Sequence, residues 1–121
     1  MPSTGFKGVH KLTAATIDRV DTQTSPGAYV LTKHDPSDTF TVSYVGRSDA
    51  DLNSRLKDHA AAGKYTHFKA GYHSTAKAAF QKECQLYHDF GGSDSLDNKA
   101  HPARPKNTSH SCPVADCDDL D

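Results

Sequence analysis

No run of apolar residues in this 121-residue sequence approaches the roughly 18 that a membrane-spanning helix needs, so no membrane association is expected. The opening MPSTGFKGVH has no apolar core of the kind a secretory signal carries, and a cytoplasmic location is the default expectation. Cysteine is scarce: Cys84, Cys112 and Cys117 are an odd number, which argues against a disulfide framework. There is no basic excess either. The formal charge is −1, and charge alone does not announce a nucleic-acid partner. Glutamate is the rarest acid, with Glu83 alone against fourteen aspartates.

What is present bounds a single domain. Apolar residues make up 35 %, enough for one modest core. The charge is unevenly spread: Arg47, Arg55, Lys57, Lys64, Lys69, Lys77 and Lys82 face three acids in the same stretch, while four aspartates crowd the last six residues. A basic middle with an acidic tail can still bind phosphate locally, although a solvated mixed-charge surface has the same composition.

Val9, Leu12, Thr16, Ile17 and Val20 suggest a helix over about 9–20. GAYVLTK (27–33) and TFTVSYVG (39–46) read as two strands around the turn cluster 34–38. In the second, Phe40, Val42 and Tyr44 alternate with Thr39, Thr41 and Ser43. Ser48 with Asp51 three residues on has capping-box spacing, and a helix of about 50–62 ending at Gly63 fits. HFKAGYH (67–73) is a weaker third strand. The clearest helix opens at Ser74 and stops at Gly91-Gly92, with Ala76, Phe80, Cys84 and Tyr87 along one face. The order implies an α+β domain, a small three-stranded antiparallel sheet flanked by helices. The chain divides into an arm and short helix (1–24), the domain proper (25–106) and an acidic, cysteine-containing tail (107–121).

The two hairpin strands carry Gly27-Ala28-Tyr29 and Tyr44-Val45-Gly46, 17 residues apart from Gly27 to Tyr44. The pair resembles the two signature tripeptides of the GIY-YIG nuclease superfamily. Arg55 and His59 in the following helix, Glu83 in the later helix and Asn98 beyond it extend the resemblance over about residues 25–105. Two departures stand out: the interval from Tyr44 to Arg55 is one residue longer than is common there, near Ala50, and Ala28 replaces a larger residue.

The residues make chemical sense by themselves. Glu83 borders the apolar face between Phe80 and Tyr87, where a carboxylate needs a partner, either a hard divalent cation or an ion pair such as Arg55. Arg55 and His59, four apart, share a helical face and can grip a phosphate; a surface ion pair and a helix-end histidine are the plain alternatives. Tyr29 and Tyr44 would ordinarily be core aromatics with a hydroxyl at the rim.

The resemblance implies a metal-dependent endonuclease acting on DNA. It makes Tyr29, Tyr44, Arg55, His59 and Glu83 the catalytic group, with Glu83 holding Mg²⁺ or Mn²⁺. Arg47, Lys69 and Asn98 would bind substrate. One tyrosine would activate water, with its pKa lowered by Arg47, Arg55 or the metal, and either tyrosine suits. A non-catalytic nucleic-acid-binding module is the runner-up. His101, His110, Cys112 and Cys117 would suit a structural Zn²⁺ and hence a zinc-stabilised interaction domain, against a chance cluster in an unpacked tail. A specificity-conferring protein partner is also expected, because the chain has little room for an appended recognition domain.

Overall fold

Gly27–Thr32 is buried at every position, and a strand covered on both faces belongs at the centre of a sheet. The computed structural model, which describes residues 6, 8–20, 25–33, 41–49, 51–92 and 95–98, places it there. The elements in chain order are β1 (His10–Lys11), α1 (Ala14–Val20), β2 (Gly27–Thr32), β3 (Tyr44–Ser48), α2 (Leu52–Ala62), β4 (His67–Tyr72) and α3 (Ala76–Asp89). The sheet runs β1-β4-β2-β3 with every pair antiparallel. The fold is α+β, a four-stranded antiparallel sheet with three helices packed against it.

The expected three strands are thus one short. His10 and Lys11 pair with Phe68 and His67 and take up the first turn of the helix expected over 9–20. Leu12 then donates its N–H to Thr66, and Thr13 caps a shorter α1 by accepting from the N–H of Thr16. Sheet pairing at His10 and Lys11, extended by the Leu12 N–H, overrides the expected helical spacing.

Alternation along β2 sorts side chains to two faces. Tyr29 and Leu31 join Leu12, Ile17, Leu52, Leu56, Tyr65 and Phe68 in the core under α1 and α2. Val30 joins Val42, Val45, Leu86, Tyr87 and Leu96 in the core under α3. The expected alternation of the second strand holds only from Tyr44. Val42 and Tyr44 fall in different cores, so the chain before Tyr44 is not regular strand; Phe40 and the turn 34–38 lie outside the described residues.

Cap positions also move. Ser48 is the last residue of β3, its hydroxyl accepting from the N–H of Asp51, and it is Asp51 that caps α2 by accepting from Ser54. Thr75 rather than Ser74 caps α3. Gly63 closes α2 at φ 70°, a left-handed conformation that suits glycine. No helix among the described residues is long and apolar enough to cross a membrane.

Candidate active site

β3 is an edge strand, with β2 on one side only. Part of its outer edge is covered. Asn98 accepts from the Val45 N–H at 3.0 Å and donates to the Val45 carbonyl at 2.8 Å, and Asp97 donates its N–H to Ser43. The side-chain amide of Asn98 so replaces one peptide of a missing neighbour strand. Among the described residues this covering reaches Val45. Immediately beyond it a cleft of about 390 Å³ opens, lined by Tyr29, Tyr44, Gly46, Arg47, Ser48, Asp49, Arg55 and Glu83.

Tyr29 and Gly46 are direct cross-strand partners, so their side-chain positions share a face. A Cβ at position 46 would collide with the Cζ and hydroxyl of Tyr29. Only glycine there lets the ring lie across β3, and this is the physical content of the second tripeptide's last residue. The Tyr29 ring is fully covered, and its hydroxyl meets His59 Nε2 at 2.7 Å. Tyr44 is half-buried two residues before Gly46 and packs against the rings of His59 and Tyr65, at 5.3 and 5.9 Å between centroids. Arg55 is exposed one turn before His59 on α2, and its charge reaches both phenols.

The next residue of β3, Arg47, takes the opposite face. It pairs across the sheet with Ala28 and reaches α3, where its guanidinium lies over the Phe80 ring at 5.1 Å. Its Nη1 donates to Glu83 Oε1 at 2.6 Å, and its Nε to Asp49 Oδ1 at 2.6 Å. The tyrosines with Arg55 therefore approach from the α2 side of the sheet and Glu83 from the α3 side. The open stretch of β3 at 46–48 is where both sets meet. The ion pair allowed for Glu83 exists, but with Arg47 in place of Arg55.

Burial governs the protonation states. It pushes Glu83 up to about 7, with Arg47 pulling the other way. Arg47 is held above its ordinary value: its burial acts downwards and is outweighed by the bonds to Asp49 and Glu83. Burial raises both Tyr29 and Tyr44, and the opposing charge of Arg55 does not offset it. The lowered tyrosine pKa expected from the neighbouring arginines is therefore not met by these residues. His59 is lowered, first by burial and then by Arg55, and stands as a neutral imidazole near pH 7 that shares a hydrogen bond with the Tyr29 hydroxyl.

Two expected site residues stand apart. Asn98 does not line the cleft; both ends of its amide hydrogen-bond Val45, so that it supports β3. Lys69 pairs with Val30 in the sheet interior and also lies off the cleft wall. Ser48 and Asp49 line the cleft and were not singled out from the sequence. The Arg47-x-Asp49 spacing at a strand end was the available signal, masked by thirteen other aspartates.

The donor set suits a hard cation. Mg²⁺ takes one or two carboxylates and completes its shell with water and phosphate oxygens. Glu83 and Asp49 are two carboxylates already gathered on one positive group at the cleft wall. Among the described residues no group of three or more His, Cys, Asp or Glu side chains forms an all-protein cage. His101, His110, Cys112 and Cys117, the residues suited to zinc, lie outside the described residues. In comparisons with known proteins, no family model, no curated protein and no solved structure matches the chain.

Proposed function

We propose that the cleft hydrolyses phosphodiester bonds in nucleic acid, DNA first, as a GIY-YIG-like endonuclease with one divalent cation at Glu83. The observation that carries the reading is the gathering of both phenols, an exposed arginine and the chain's single glutamate at the open stretch of one edge strand. In-line displacement requires a water-activating group, a phosphate clamp and a metal ligand around one phosphorus.

Arg55, exposed at the cleft, receives the non-bridging oxygens of the phosphate, for which its planar fork is suited. Tyr44 has surface open to the cleft and positions the attacking water. The water would give its proton to the Tyr44 phenolate, which a bound cation would favour by lowering the phenol pKa, and the hydroxide formed attacks phosphorus; Tyr29, fully covered, holds His59 in place through its hydrogen bond. Glu83 and Asp49 would hold the cation, which would supply Lewis-acid stabilisation of the leaving oxygen.

A non-catalytic binding module on the same fold is the second reading, and one observation favours it: Arg47 already neutralises Glu83. Supercoiled plasmid and a panel of branched duplexes, incubated with Mg²⁺, Mn²⁺ or EDTA, separate the two. The nuclease reading expects cleavage that EDTA abolishes. Binding across the panel without cleavage in either metal would establish the module.

A further inference from the structure

The guanidinium of Arg47 sits where a cation would serve the two carboxylates. We propose that Arg47 is a clasp displaced by substrate: it holds Glu83 and Asp49 while no nucleic acid is bound, and an entering phosphate draws it off so that the divalent cation takes its place. Arg47 is then a positioning residue that couples metal binding to nucleic-acid binding. The inference rests on the reading of Glu83 as the metal ligand.

Charge compensation links the two ligands. The side chains of Arg47 and Glu83 are only 11 % and 10 % exposed, so neither can be left without a counter-charge cheaply. A metal arriving alone at Glu83 Oε1 must expel a guanidinium that is stacked on Phe80 and held by Asp49 through both Nε and Nη2. A phosphate arriving alone and taking Arg47 leaves Glu83 buried and unpaired. When both arrive, each cation regains an anion: the guanidinium pairs with phosphate, and the metal pairs with the carboxylates. The exchange is feasible because Asp49, at 40 % exposed, leaves one side of the clasp open to solvent and to the cleft. Arginine suits the role because its fork fits carboxylate and phosphate equally well. Each ligand should therefore strengthen the other's binding by the same factor.

Titration of the intact protein with Mn²⁺, with and without a short phosphorothioate duplex and corrected for Mn²⁺ bound by the duplex alone, reads this coupling directly. For the wild type, the duplex should raise Mn²⁺ affinity by about tenfold or more. Arg47→Gln should bind Mn²⁺ about tenfold more tightly than wild type without duplex, and should gain little more when duplex is added. Arg47→Lys keeps the charge but lacks the planar fork that grips Asp49 through two nitrogens while reaching Glu83, and should fall between them. The lysine variant also keeps the test alive should the glutamine variant fail to fold. A wild type whose Mn²⁺ affinity ignores the duplex overturns the clasp. So does an Arg47→Lys protein indistinguishable from wild type beside a tight Arg47→Gln, since that pattern reflects charge alone. Absence of Mn²⁺ binding in every form overturns both the clasp and the metal role of Glu83. Mn²⁺ binding without coupling, in a protein that cleaves, overturns the clasp and leaves the nuclease reading standing. Coupling without cleavage in any metal does the reverse.

Discussion

Glu83 carries two opposed demands, burial among apolar neighbours and a charge for a cation, and its carboxyl pKa near 7 records the conflict. A carboxyl raised above its ordinary 4.5 stabilises the fold below that pH, and the stabilisation is lost as pH rises through about 7. The metal-free protein should therefore lose stability as pH rises across that window. Glu83→Gln should flatten this contribution, so melting curves of wild type and variant from pH 4.5 to 8 should diverge; parallel profiles would refute it. Tyr29→Phe removes the hydroxyl that meets His59. Nicking should fall by a factor of about a hundred through a displaced His59, while stability changes by about 1 kcal/mol; a fully active Tyr29→Phe protein would show that the site does not depend on this hold. Glu83 was legible in the sequence because it is the only glutamate and borders an apolar helix face. Asp49 was not, since its importance comes from where β3 ends. The phenol protonation states were not legible either, because they depend on burial by residues distant in sequence.

At the scale of elements, the site is a property of one uncovered edge. Asn98 pins Val45, and the next three residues of β3 are left to line the cleft. Asn98→Ala should strip both hydrogen bonds and cost about 1–3 kcal/mol. Activity should weaken through a lower melting temperature, with KM for DNA unchanged. A raised KM at full stability would support the substrate-binding role. Gly46→Ala should be severe, since the added Cβ meets the Tyr29 ring inside a covered site; overpacking of this kind costs typically about 1–3 kcal/mol. Circular dichroism melting checks it, and an unchanged melting temperature would contradict the placement of Tyr29 across β3. β2, α2 and α3 were legible from β-branched and aromatic content, helical spacing and Gly63, whereas the alternation read for the second strand held only from Tyr44. β1 was not, because two residues pairing with a distant strand leave no local pattern. The Ser48 cap was displaced for a related reason: sheet pairing claimed that residue, and Asp51 inherited the role.

On the scale of the whole molecule, a chain of net charge −1 would have to bind a polyanion through local charge. The sheet order places Arg55 and Glu83 on elements that flank opposite faces, and the short edge strand between them lets both reach one cleft. This convergence is the central claim, and the substitution that isolates it is Glu83→Gln, nearly isosteric and lacking the charge a hard cation requires. Plasmid nicking in Mg²⁺, measured beside the melting temperature of the same preparation, is the most direct test. The expected result is a folded variant with nicking reduced about a thousandfold or more, the several kcal/mol that Lewis-acid stabilisation contributes. A folded Glu83→Gln protein that nicks at the wild-type rate would contradict it.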